Sequence, residues 1–222
     1  MQATPRDLWR QSLLALTNNL ESASAFLDQR LRFTSAVARE LTKGDSGSAL
    51  LYGVWLQGHN QPVYIGQTLE GKRRLWDLPI GESHHLSNSF PPETWGRVVV
   101  VDWLSILETD LGSSAGALLQ SASTRFAQPN QALGLALEHL LQHQCRPLFN
   151  LRKKKRDGNW RTVDWSRSRS IGALAATHVA KLFEVVLEHW THLAQLPMQD
   201  NCCVIARHGR VVFPSLVPHG DA

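Results

Sequence analysis

The sequence predicts an α+β protein: a small sheet of about three strands flanked by helices, with a helical extension before it and a helix-plus-hairpin extension after it. Three observations carry this. Two short apolar segments, Ala49 to Leu56 and Val63 to Gly66, are bounded by turn residues and read as a strand pair. The run Arg97-Val98-Val99-Val100-Val101-Asp102-Trp103 is β-branched and suits a pleated, buried surface, so it is placed at the sheet centre. Much of the remaining chain has helical periodicity with start and stop signals. The expected division is 1–48 as the N-terminal helical extension, 49–152 as the core, and 153–222 as basic loop, long helix and terminal hairpin.

The elements follow in order. Thr4-Pro5-Arg6-Asp7 is a helix start: Thr4 caps, Pro5 fits the first turn, and Asp7 reaches back to the cap amide. Trp9, Leu13, Leu16 and Leu20 recur at helical spacing, and Phe26, Phe33, Val37 and Leu41 form a second series. Residues 4–43 therefore read as two helices or one bent helix, ended by Gly44-Asp45-Ser46-Gly47-Ser48. Gln57 to Pro62 turns the first strand into the second. Leu69 to Leu78 reads as a helix carrying Arg73 and Arg74, and Pro79 to His85 as a loop. Residues 114–127 are weakly helical. Gln131 to Gln144 is a helix with Leu133, Leu137, Leu140 and Leu141 on one side, stopped by Pro147. Ile171 to Leu196 reads as one long helix with Ile171, Leu174, Leu182, Val185 and Leu193 as its stripe. Val204-Ile205-Ala206 and Val211-Val212-Phe213 suggest a terminal hairpin.

The 43% hydrophobic content over 222 residues is that of a globular chain. No apolar run approaches the roughly 20 residues that span a bilayer, and Met1 to Asp7 lacks the apolar core of a secretory signal. Three cysteines, Cys145, Cys202 and Cys203, form no disulfide framework. A cytoplasmic protein without membrane contact is the expectation. The net charge of +4 is modest but unevenly spread, because Arg146 to Arg169 holds nine Lys or Arg against two Asp. A basic patch of this kind suits a polyanion; by itself it is equally a solvated loop.

The chemistry is carried by two separated stretches. The first is Gly53-Val54-Trp55, then Tyr64-Ile65-Gly66, then Arg74. The second is Glu138, followed by Asn150 in Pro147-Leu148-Phe149-Asn150. Over residues 49–152 this order resembles the GIY-YIG nuclease family: Tyr64-Ile65-Gly66 matches the second family triplet literally, Arg74 follows Tyr64 by ten residues, and Glu138 and Asn150 fall where that family carries its metal ligand and terminal asparagine. The resemblance implies a metal-dependent DNA endonuclease using Mg²⁺ or Mn²⁺ in a one-metal mechanism on double-stranded DNA. It also admits a homodimer.

The residue types suit those roles. A single carboxylate, Glu138, binds Mg²⁺ loosely and leaves coordination positions for water and phosphate. Arg74 offers two donors in a fork to a phosphate oxygen. Tyr64 positions or deprotonates the attacking water, given positive charge nearby to lower a pKa of about 10. Asn150 holds the junction around the site. The chain departs from the family pattern at Trp55, which has no hydroxyl where the first triplet ends in tyrosine. Tyr52 is three residues away and faces the opposite side of a regular strand, so Tyr64 and the pair His84 and His85 are the candidate bases.

Arg73 and the segment Arg152-Lys153-Lys154-Lys155-Arg156 are the expected phosphate contacts, with Trp160 and Trp165 placed to stack on bases or, equally, to fold back on the core. His139 and His143, four apart, form with Cys145 a poor zinc set. His178, His189 and His192 read as surface or packing residues, and His59 and His208 as exposed turn residues. The alternative function is a nuclease-derived DNA-binding module that has lost cleavage. A scaffold for an acidic partner is a third reading.

Overall fold

The computed structural model describes residues 4–44, 49–81, 86–198 and 200–218, with the side chains at 20–22, 152–154 and 160 excepted. The expected turn at 45–48 and the pair His84 and His85 lie outside the described residues.

The chain opens with α1 (Pro5–Asn18) and α2 (Leu20–Thr42). Thr4 and Asp7 form the reciprocal cap: Asp7 N–H donates to Thr4 Oγ1 at 3.3 Å and Thr4 N–H to Asp7 Oδ2 at 3.2 Å. The leucine stripe expected to bury α1 does not do so. Leu13, Leu14 and Leu16 are exposed, and α1 buries Pro5, Ser12 and Ala15 instead. In α2 the stripe is real: Phe33, Val37 and Leu41 are fully buried against the sheet.

Five strands, not about three, make the main sheet: β1 (Leu50–Leu56), β2 (Pro62–Thr68), β3 (Trp95–Asp102), β6 (Cys203–Ala206) and β7 (Gly209–Val212), in the order β2-β1-β3-β7-β6 and antiparallel throughout. The valine strand β3 is central, as its composition predicts. The two extra strands are the terminal hairpin, which pairs directly with β3 through Val98↔Val212 to Val101↔Gly209. A central strand with an apolar residue on both faces needs a neighbour on both edges, and β7 satisfies the second edge.

The sheet divides the core by alternation along β1. Leu50, Tyr52 and Val54 face α2, α3 (Gly71–Ile80) and α4 (Leu86–Ser89), whereas Leu51 and Trp55 face α5 (Trp103–Thr109), α7 (Pro129–Cys145) and α10 (Ala180–Gln195). The helix α6 (Ser113–Arg125) covers α7. The long C-terminal helix is broken. α9 (Ile171–Ala175) ends in a 3-10 turn at Ala176–His178, Val179 leaves the helical region, and α10 begins anew. The break lets Gly172 sit against the Leu135 carbonyl of α7, where a Cβ would come within 2.4 Å, while α10 turns its own stripe of Leu182, Val186, Trp190 and Leu193 onto the sheet. Ile171 and Leu174 are consequently exposed.

The basic stretch folds as a small hairpin, β4 (Arg152–Lys154) and β5 (Trp160–Thr162), directly after α8 (Leu148–Leu151). No helix among the described residues is long and apolar enough to cross a membrane.

Gly53 explains its place in the first triplet by packing. A Cβ there would meet the Trp190 ring at 2.5 Å, and Trp190 and Trp55 stack at 5.6 Å between centroids. Gly53→Ala is expected to displace Trp190 and destabilise the fold by about 1–3 kcal/mol; equilibrium denaturation with urea measures it, and an unchanged midpoint would refute the packing role.

Candidate active site

β2 is the edge strand on one side of the sheet, and the site is assembled around that edge. Ile65 lies opposite Gly53 in the register, and its N–H and C=O point outward from the sheet. The Asn150 side chain answers both. Ile65 N–H donates to Asn150 Oδ1 at 2.8 Å, and Asn150 Nδ2 donates to the Ile65 carbonyl at 3.0 Å. One primary amide thus imitates the pairing of a further strand. Gln142 Nε2 donates to the same carbonyl at 3.2 Å, so α7 and α8 are both tied to β2.

Gln142 also sets the carboxylate. Its Nε2 donates to Glu138 Oε1 at 2.8 Å, one turn earlier on α7, while its Oε1 accepts from Trp165 Nε1 at 3.0 Å. Trp165 is buried and folded back on the core, which settles that side of the alternative for this tryptophan. The Trp160 side chain lies outside the described residues, as do those of Arg152, Lys153 and Lys154.

Tyr64, Glu138, His139, Phe149, Asn150 and Trp165 line one open cleft of about 490 Å³, closed on its far side by the chain between Val163 and Gly172. Glu138 is half-buried there, with access to the opening. Phe149 packs its ring on Tyr64 at 6.2 Å between centroids. Burial, with His143 adding to it, lowers the pKa of His139 and favours its neutral form. A larger hollow of about 590 Å³ lies at the end of β1 beside Trp55 and Phe213, but no carboxylate lines it.

Tyr52 changes the reading of the first triplet. It does face the side opposite Trp55, and Tyr64 lies on that same side. Tyr52 stands opposite Gly66 and Val54 opposite Tyr64, so the two tyrosines share a face, with ring centroids 6.0 Å apart. Their hydroxyls are hydrogen-bonded to each other, and Arg74 Nε donates to Tyr52 Oη at 3.2 Å. Gly66 makes this possible: a Cβ there would lie 2.6 Å from Tyr52 Oη and 2.9 Å from Tyr64 Cε1. Trp55 is a core residue that packs on Trp190 and donates Nε1–H to the Asn60 carbonyl at 3.3 Å. The sequence signal for Tyr52 was available: a buried tyrosine hydroxyl needs a partner, and Tyr64 and Arg74 are on the adjoining elements.

The electrostatics favour neutral tyrosines. Burial pushes Tyr64 far above the ordinary tyrosine range, with Tyr52 and Glu138 adding to the shift and Arg74 opposing it. Burial likewise raises Tyr52, against the pull of Arg74. Tyr64 in this setting holds its proton, and its burial works against the base role expected of it. Arg73 is exposed and paired with Glu70, pointing away from this network. Lys155 and Arg156 are exposed at the tip of the β4–β5 hairpin.

No protein-family model, curated protein or solved structure matches this chain.

Two measurements check the site. The chain has only two tyrosines, both here. Native protein is therefore expected to show no phenolate absorbance as pH passes 10, whereas denatured protein titrates both residues near pH 10. Because the folded values are raised, their stabilising contribution is complete below pH 10 and is lost as pH rises above it. A native phenolate signal near pH 10 would contradict the burial of this pair. Asn150→Ala is expected to cost about 1–3 kcal/mol by leaving the Ile65 N–H without its partner, while Gln142 still serves the carbonyl. Amide exchange at Ile65 reads this directly, and unchanged protection would refute the clamp.

Proposed function

We propose that this protein is a metal-dependent DNA endonuclease that hydrolyses phosphodiester bonds by a one-metal mechanism. The observation that carries the reading is the meeting of Tyr64, Glu138 and Asn150 on one open cleft, with Arg74 joined to Tyr64 through Tyr52. These groups come from four elements and include a carboxylate, a guanidinium and a hydroxyl, which are the parts phosphodiester cleavage requires.

Glu138 is the residue that would hold Mg²⁺ or Mn²⁺. Its carboxylate reaches an open cleft, and Gln142 fixes its orientation from the side, the kind of outer contact that orients a metal ligand. One carboxylate with water filling the remaining positions is an ordinary way to bind Mg²⁺, and the ion would supply charge neutralisation and a more acidic water. Arg74 would neutralise a phosphate oxygen, and Tyr52, by accepting its Nε–H, sets the plane of the guanidinium. Tyr64 keeps its proton, now shared with Tyr52, and would turn it to the developing oxyanion, while the attacking water, made more acidic by the ion, would release its proton to solvent. Asn150 and Gln142 act on β2, holding Tyr64 against the cleft. The basic hairpin begins two residues after Asn150, and Lys155 and Arg156, exposed at its tip, would grip the backbone beside the scissile bond. Trp55 takes no part, and its departure from the family triplet ceases to argue for lost cleavage.

Plasmid nicking with Mg²⁺ or Mn²⁺ tests this. Glu138→Ala and Arg74→Lys are expected to lower cleavage by about 10²-fold or more with DNA retention preserved. Tyr52→Phe should lower it less, and Trp55→Phe should leave it unchanged. Binding without cleavage by the wild type under every divalent ion would favour the DNA-binding module instead. Absence of salt-dependent binding would overturn both.

A further inference from the structure

Three residues absent from the nuclease reading converge at the opposite side of the sheet. Asp110 ends α5, His189 lies in α10, and His208 sits in the turn between β6 and β7. One ligand atom from each lies within 4.8 Å of the other two. We propose that Asp110, His189 and His208 bind a zinc-class divalent cation that fastens the terminal hairpin to α5 and α10.

The two imidazole–carboxylate hydrogen bonds are long for charge-assisted pairs, and their lengths fit neighbouring ligand atoms of one ion. His208 Nε2 is 3.2 Å from Asp110 Oδ1, and His189 Nε2 is 3.4 Å from Asp110 Oδ2. A tetrahedral ion with ligands at about 2.0–2.1 Å separates neighbouring ligand atoms by about 3.3–3.5 Å. The imidazoles meet edge to face at 5.1 Å between centroids, so both present Nε2 towards the carboxylate.

The surroundings orient these atoms. Ser105 Oγ lies 2.9 Å from His208 Nδ1, the nitrogen away from the carboxylate, as outer contacts of metal-binding histidines do. Thr109 Oγ1 donates to Asp110 Oδ1 at 2.7 Å. His208 adopts φ 59°, an uncommon conformation for a non-glycine residue, and its carbonyl accepts from Asp102 N–H at 2.8 Å. The turn is thereby pinned to the end of β3 with the ring directed inward. The His208 side chain is only 6% exposed, against the exposed turn residue that sequence alone suggests.

Two imidazoles and one carboxylate prefer Zn²⁺, Co²⁺ or Ni²⁺ to Mg²⁺. Three protein ligands leave a fourth position for water. One group competes. Arg207 Nη2 donates to Asp110 Oδ1 at 2.5 Å, but that side chain is 69% exposed and its pairing is weakly held. The guanidinium occupies the carboxylate without metal and swings to solvent with it.

Chelator-treated full-length protein titrated with Zn²⁺ by calorimetry, and with Co²⁺ by visible absorption, tests the site. One equivalent of tight binding, cobalt bands of a low-coordinate site and a rise in Tm of about 5 °C are expected. His189→Ala and Asp110→Asn should weaken binding at least tenfold, Arg207→Ala should strengthen it, and Glu138→Ala should leave it unchanged. Circular dichroism establishes that each variant is folded, and should His189→Ala fail to fold, Asp110→Asn and Arg207→Ala decide the matter. Equal Zn²⁺ affinity in the wild type and the ligand variants, or no Tm response, overturns the proposal.

Discussion

β2 is the outermost strand of its sheet, and the outward amide and carbonyl of Ile65 need partners that no further strand provides. Unpaired edges invite aggregation, and proteins cover them with a loop, a helix or a charge. Here a side chain covers the edge. Asn150 completes the Ile65 pairing and Gln142 adds a second donor to the same carbonyl. The consequence is positional. The two helices that supply these amides are brought against β2, and one of them carries Glu138 a single turn from Gln142. The protection of an edge and the placement of a carboxylate beside Tyr64 are thus the same set of contacts.

A second consequence concerns the two faces of the sheet. Tyr52 and Arg74 approach from the α2–α3 side, and Glu138 from the α7 side. Only at an edge can groups from both faces come near one another, and Tyr64, which lines the cleft with Glu138, is the link to Tyr52 and Arg74 behind it. Gly66 allows Tyr52 to cross over β2 towards that edge, and Phe149 supports Tyr64 from α8. The buried tyrosine pair then keeps its protons, and in the proposed reaction it would offer fixed donors in a partly desolvated setting, where such donors act most strongly.

Much of this was legible in the sequence, for identifiable reasons. Alternation and β-branching marked β1, β2 and β3, and the Thr4–Asp7 cap marked α1. Tyr64, Glu138 and Asn150 were singled out by their order and its resemblance to the GIY-YIG pattern, and they do line one cleft. What escaped depended on tertiary geometry. That Tyr64 shares the face of Tyr52 depends on the register of β2 and could not be read from β1 alone, so the sequence directs attention to Tyr64, His84 and His85 and not to Tyr52. The terminal hairpin was visible as two short strands, but its pairing with β3 is non-local. The break at Ala176–His178 carries no proline; it accompanies the close seat of Gly172 on α7, a tertiary contact. The Asp110, His189 and His208 cluster has no local spacing at all, since its members come from three separate elements.

The central claim is that the cleft at the β2 edge binds a divalent ion on Glu138 and a phosphate beside it. Anomalous scattering from crystals grown with Mn²⁺ and a short DNA duplex addresses it without recourse to rates. The account predicts a peak about 2.1 Å from the Glu138 carboxylate, with a backbone phosphate between it and Arg74. Manganese bound elsewhere while DNA lies across another surface, with this cleft holding neither, would contradict it.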